Sequence, residues 1–362
     1  GAHRHIMSHN SKGKPIRIGW VGSGFVGQVA HLVKYAGIPD VEISGLAELR
    51  PKLGKQVCER HGIPRCFKDH KELIDNLELD AVVAIVRREH TASVALDILN
   101  KGIALFTEKP MAPTVAQGEK LVEAATKHES LYVAGFMRRH DQGVQIAKQA
   151  FNELIETGEL GDVLFFRSYC FGGGDYCNID GNQTTNELPP RHRILPISPD
   201  WLPPEFEREY ETFLNVFVHD INLIRFLVGY TPEIEHVDYR PHAGSLALNF
   251  RGFAGVFEFA HLQTNRYWEE GIEILFSKGR MIIQLPPAFL RNQAAIVKIY
   301  KERPQGSTEM VSPTPDWTWA FKRQAEAFVD NLVSNSSSLA SGNDSLEDLR
   351  FIEAVWEKIA CN

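Results

Sequence analysis

The run Ile16-Arg17-Ile18-Gly19-Trp20-Val21 opens directly into Gly22-Ser23-Gly24-Phe25-Val26-Gly27. A glycine loop of this spacing lets backbone N–H groups reach a pyrophosphate at a helix N-terminus, where the helix dipole also favours negative charge. A chain with 28 glycines produces such a hexamer by chance as well, so its surroundings decide. A strand-like run precedes it, and Val29, Leu32 and Val33 follow at helical spacing between Phe25 and Tyr35. A second strand, Val41 to Ala47, leads into Glu48, 26 residues after Gly22 and placed to accept the ribose hydroxyls of an adenosine. A plain glycine turn between packed elements is the weaker reading. The pattern predicts a dinucleotide site.

The rest of the first 140 residues continues the alternation that such a loop requires. Ala81–Val86, Ala104–Thr107 and Tyr132–Phe136 read as buried strands, separated by helical stretches at Pro51–His61, Lys71–Asn76, Ser93–Asn100 and Val115–His128. Strands alternating with helices imply parallel crossovers and a doubly wound sheet. Beyond a helix at Asp141–Thr157 the pattern changes to strand runs at Val163–Phe171, Ile234–Arg240, Ser245–Phe250, Gly255–Gln263, Glu273–Leu285 and Ala294–Lys301. These predict a large, mostly antiparallel open sheet, with helices at Phe213–Val228, Trp319–Ser334 and Ser345–Ile359. The expected architecture is α/β: a Rossmann domain over 14–138 and an α+β substrate-binding and oligomerisation domain over 139–362.

A chain of 362 residues with a net charge of −7 suits two domains and argues against nucleic acid or an anionic membrane as partner. No apolar run approaches the ~20 residues that span a bilayer. Gly1 to Ile6 reads as a vector remnant rather than a signal peptide, and the five cysteines lack C-x-x-C spacing. Neither a disulfide framework nor a metal site is expected, and the compartment is expected to be the cytoplasm.

Two further segments carry chemistry. Thr107-Glu108-Lys109-Pro110 follows a strand whose carboxyl end faces the ligand side of a doubly wound sheet. An ammonium there stabilises an alkoxide developing during hydride transfer, although a Glu-Lys pair on its own is also an ordinary surface ion pair. The helix Phe213–Val228 is apolar nearly all round and therefore buried, which leaves Asn215, His219, Asp220 and Asn222 in need of partners. Asn215 and His219 lie four apart on one face, and histidine is the commonest general acid/base near neutral pH. A satisfied core histidine is the competing reading. Between Gly172 and Tyr210 lies a long excursion without periodicity that carries Tyr176, Arg191, His192, Arg193 and Trp201, either ligand contacts or a solvated loop.

The glycine loop, Glu108-Lys109-Pro110, Gly135-Phe136-Met137-Arg138-Arg139 and His219-Asp220-Ile221-Asn222 together resemble the glucose–fructose oxidoreductase / inositol dehydrogenase / rhizopine-catabolism (Gfo/Idh/MocA) family, over nearly the whole chain. Gly135 to Arg139 is most similar to the inositol dehydrogenases. The resemblance implies an NAD(P)-dependent oxidoreductase acting on a sugar, cyclitol or sugar derivative, with Lys109 and His219 catalytic. NAD is expected, with NADP the alternative set by Arg50 against Glu48. Cofactor contacts are expected from Gly22 to Gly27, Glu48, Arg50, Arg88 and Glu108. Lys109, Asn215 and His219 are expected at the substrate, with Arg138, Arg191 and Tyr267 as further contacts. A homodimer or homotetramer is expected from sheets packed between subunits.

Three positions depart from the family pattern. Asn215 and Asn222 stand where aspartates are usual, and Arg87-Arg88-Glu89-His90-Thr91 replaces Pro-Asn-x-x-His. An amide orients an imidazole but stabilises imidazolium less than a carboxylate does. Two other functions fit the same residues: glycoside cleavage by transient oxidation and elimination with NAD retained, and non-enzymatic sugar sensing.

Overall fold

The computed structural model describes residues 13–174, 179–190, 195–264 and 267–361. The chain divides into two compact units. The first comprises Gly1–Phe136, Asp180–Leu202 and Phe321–Glu353, and the second Met137–Ile179, Pro203–Ala320 and Ala354–Asn362. The chain thus leaves the first unit after Phe136 and returns to it twice.

The first unit is built on a six-stranded parallel sheet of order β3-β2-β1-β4-β5-β6. Its strands are β1 Ile16–Val21, β2 Val41–Ala47, β3 Cys66–Phe67, β4 Ala81–Ala84, β5 Ala104–Glu108 and β6 Tyr132–Gly135. The order reverses between β1 and β4, which creates the crevice where doubly wound sheets bind ligands. Trp20, Tyr35, Phe106 and Phe328 are fully buried, with Trp20 edge-on to Tyr35 at 5.3 Å and Phe106 edge-on to Phe328 at 5.5 Å. The helix Ala320–Ser334, which carries Phe328, therefore belongs to the core of the dinucleotide-type sheet despite its distance in sequence.

The second unit carries an eight-stranded sheet of order β14-β13-β12-β11-β7-β10-β9-β8. Its strands are β7 Val163–Gly172, β8 Glu233–Arg240, β9 Ala243–Asn249, β10 Ala254–His261, β11 Trp268–Phe276, β12 Gly279–Leu285, β13 Ile296–Glu302 and β14 Thr308–Val311. Only β7 and β10 pair in parallel; every other pairing is antiparallel. The helix Glu207–Val228 lies among aromatic side chains of this unit, with Phe213 and Phe217 each edge-on or tilted against Phe259 at 5.2 and 5.0 Å.

Three expectations about elements change, the first being the helix expected from Phe213, which begins at Glu207. Glu273–Leu285 is not one strand but parts of β11 and β12, folded back at Ser277-Lys278 so that Phe276 pairs with Gly279. The helix expected at Ser93 begins five residues earlier, at Arg88, because charged first-turn residues do not interrupt a helix whose apolar face starts later. Among the described residues, no helix is long and apolar enough to cross a membrane.

Candidate active site

The glycine loop turns at the carboxyl end of β1. Gly22 has φ +98°, and a Cβ there would sit 2.1 Å from the Ile85 carbonyl oxygen, so the fold itself demands glycine. Gly24 is different. A Cβ at Gly24 would meet nothing within 4 Å, so its missing side chain keeps open a cradle above the loop rather than serving packing. Beside it the Ser23 hydroxyl is buried without a protein partner. The loop runs into a helix whose first part, Gly27–Leu32, is wound as a π-helix and whose end, Val33–Ala36, is α-helical. An open cradle with backbone donors at a helix start fits a pyrophosphate.

Glu48 follows β2, its side chain only 5% exposed. Its Oε1 accepts from the Arg50 side-chain Nε at 2.6 Å. At the carboxyl end of β5, Glu108 Oε1 accepts from His31 Nε2 at 2.6 Å and Oε2 accepts from the Lys109 backbone N–H at 3.1 Å. Glu108 thereby ties the glycine-loop helix to the turn that presents Lys109. Lys109 is half-buried and joined to Pro110 by a cis peptide bond. Arg88 is exposed on the first turn of the helix Arg88–Asn100, after β4. The first unit thus gathers Gly22–Gly27, Glu48, Arg50, Arg88, Glu108 and Lys109 on elements of one parallel sheet.

The second unit holds Asn215 and His219, both half-buried and four residues apart on Glu207–Val228. The next residue, Asp220, faces a sealed cluster. Arg138 donates through Nη2 to Glu270 Oε1 at 2.6 Å and through Nη1 to the Pro286 carbonyl at 2.6 Å, and Trp268 Nε1 donates to the same Glu270 oxygen at 3.1 Å. Cys170, Asp220 and Glu270 bring ligand-type atoms within 4.8 Å of one another, all buried. Burial and the neighbouring Glu270 charge push the Asp220 carboxyl well above its ordinary range. Burial would raise Glu270 too, but the Arg138 guanidinium and the hydrogen bond from Asp220 hold it below. Arg138 supplies the positive charge beside these two carboxyls. Arg139 donates to the Asn222 side-chain and backbone oxygens at 2.7 and 3.1 Å, which explains Asn222 inside an apolar helix.

Tyr267 is 49% exposed and its hydroxyl donates to Glu269 at 2.7 Å. Tyr176, Arg191, His192 and Arg193 lie outside the described residues. Trp201 falls in the first unit, where its Nε1 donates to Glu353 at 3.3 Å. Sequence reasoning flagged Asp220 as a buried acid but missed Glu270, Cys170 and the strap residues Gln183 and Glu187. Their only signal was polarity in otherwise apolar or aperiodic stretches.

Residues 16–136 match the oxidoreductase family, NAD-binding Rossmann fold (GFO_IDH_MocA). The chain is similar to the myo-inositol 2-dehydrogenase of Thermotoga maritima, 22% identical over 344 residues that cover 91% of this chain and 92% of that one. Among solved structures, a levoglucosan dehydrogenase in complex with NADH and levoglucosan aligns with a TM-score of 0.74 at 18% identity, over 96% of this chain and 98% of that one. KijD10, a 3-ketoreductase from Actinomadura kijaniata in complex with NADP and TDP-benzene, aligns at 0.70 with 20% identity, over 95% and 98%.

Proposed function

We infer that this chain belongs to the Gfo/Idh/MocA family of NAD(P)-dependent oxidoreductases and moves a hydride between the dinucleotide and a secondary alcohol of a sugar or cyclitol, a reading supported by the match over residues 16–136 and the similarity to inositol and levoglucosan dehydrogenases. The observation that carries this reading is Lys109 at the carboxyl end of β5, in the same parallel sheet whose β1 bears the open cradle at Gly24. Bound in that cradle, the dinucleotide supplies the hydride acceptor for oxidation and the donor for reduction.

The chain supplies the proton chemistry. His219 takes the hydroxyl proton during oxidation and returns it during reduction, a role worth typically 10²–10⁴-fold. Lys109 holds the substrate oxygen and steadies its developing charge. Asn215, one turn before His219, orients the imidazole through an amide. Arg138 acts indirectly: its bond to Glu270 ties the turn Met137–His140 to strand β11, in the cluster that holds Asp220 beside His219 on their helix. Arg88 toward the dinucleotide and Tyr267 toward substrate hydroxyls complete the set.

The cyclitol class is favoured by the similarity to inositol 2-dehydrogenases. The test is direct. Purified protein with NAD⁺ is offered myo-inositol, other cyclitols, levoglucosan and aldoses, and NADH formation is followed by absorbance. Turnover on one class identifies the substrate; silence on every polyol rejects the reading.

One face of the large sheet exposes Leu275, Ile296, Tyr300 and Met310. An exposed apolar sheet face of this kind is an interaction surface, and we propose that a second copy of the chain covers it. Light scattering at micromolar concentration should report a mass above that of one chain.

A further inference from the structure

The excursion between β7 and Glu207–Val228 sends residues 180–202 into the first unit, where they are fastened at two places that matter to a dinucleotide. The first is the glycine loop. The Gln28 side chain accepts from the Gln183 backbone N–H at 2.8 Å and donates to the Gln183 carbonyl at 2.9 Å, while the same Nε2 donates to the Ser23 carbonyl at 2.9 Å. The second is the helix Pro51–His61, just beyond Glu48. Glu187 receives the N–H groups of Lys52 and Leu53 at 3.0 and 2.9 Å, one on each carboxylate oxygen, and the Thr185 hydroxyl donates to it at 2.8 Å. Arg60, on the same helix, donates to the Gly181 carbonyl.

A dinucleotide phosphorylated on its adenosine 2′-oxygen needs a cation and free backbone donors just beyond the second strand. This chain has both, and both are already taken. Arg50 is bound to Glu48 at 2.6 Å, and the first-turn donors of the following helix are bound to Glu187. Desolvation works against the Glu187 charge, but the two N–H groups and the Thr185 hydroxyl outweigh it and keep the carboxyl below its ordinary range. The helix end that would attract a 2′-phosphate therefore carries a fixed negative charge instead, held there by a strap whose other end is pinned to the glycine loop.

We propose that Glu187 is a specificity-determining residue that excludes the 2′-phosphorylated cofactor, acting from a strap that the sequence inserts between two strands of the other unit. The proposal rests on the dinucleotide reading given above.

The test compares equilibrium binding of NAD⁺ and NADP⁺ to the full chain by calorimetry, for the wild type, Glu187→Gln and Glu187→Ala. Removing a charge adjacent to the phosphate should tighten NADP⁺ by on the order of 10-fold and leave NAD⁺ within about 2-fold. In the wild type, raising salt should narrow the gap between the two cofactors, because exposed charge repulsion is screened; this second arm needs no variant to fold. An unchanged NADP⁺/NAD⁺ ratio in the folded variants, or a salt-independent gap, overturns the proposal while leaving the dinucleotide site intact. A wild type that binds neither cofactor overturns the site reading itself.

Discussion

Each unit contains an arginine–carboxylate pair at 2.6 Å, Glu48 with Arg50 in the first and Glu270 with Arg138 in the second, and the two are put to opposite uses. Arg50 is 24% exposed, so that pair has one partner at the surface, where we propose that it rims the dinucleotide site. Arg138 and Glu270 are exposed by only 5% and 3%, and their remaining valences go to Pro286 and Trp268, beside the buried Asp220. Equal geometry does not mean equal function. What distinguishes the pairs is the exposure of the arginine, 24% for Arg50 against 5% for Arg138.

The comparison breaks most sharply on Glu270→Gln. That change leaves a buried guanidinium without its counter-charge and should cost about 3–5 kcal/mol in chemical denaturation. Glu48→Gln leaves a partly solvated arginine and should cost about 1 kcal/mol or less, yet weaken NAD⁺ binding on the order of 10-fold, as read by calorimetry. Similar losses of stability from both changes would erase the distinction between a sealed and an open pair.

The smallest effect is expected at the third acid. Asp220→Asn mimics the protonated side chain and should change stability by less than about 1 kcal/mol near neutral pH. The pH dependence carries the sign. A carboxyl whose folded pKa is raised contributes stability that is full below its unfolded pKa of about 3.9 and is lost as pH rises through the folded value. Wild-type protein should therefore lose stability on the alkaline side relative to Asp220→Asn. Glu270, shifted downward, contributes in the opposite sense, losing its part as pH falls below about 4.3. Parallel stability–pH curves for wild type and Asp220→Asn would mean that Asp220 is ionised in the fold.

The difference between the pairs also marks where the sequence was readable. Gly22 to Gly27 and Glu48 are legible because strand, loop and helix follow one another within a few dozen residues, and their chemistry depends on local spacing. The Arg138–Glu270 pair joins positions 132 apart, and Gln28 meets Gln183 across 155; no periodicity links either. The hairpin between β11 and β12 was hidden for a local reason. Ser277-Lys278 lacks the Asn-Gly or Asp-Gly signature of a two-residue turn, so an apolar run on both sides reads as one strand. Strand β3, Cys66–Phe67, is too short for any alternation to register. His219 and Asn215 were legible as polar positions in an apolar helix, whereas the acid beside them was legible only as a problem, since its partners come from β7, β11 and the turn at Met137–His140.

The central claim is a division of labour: the first unit holds the dinucleotide and the second supplies the acid/base. Titrating NAD⁺ into His219→Ala, with turnover measured on the same preparation, tests it most directly. The expected result is a Kd within about 2-fold of wild type together with turnover lowered by 10²–10⁴-fold, the usual range for a lost general acid/base. Turnover near the wild-type rate in a folded His219→Ala protein would contradict the claim and move the base elsewhere in the chain.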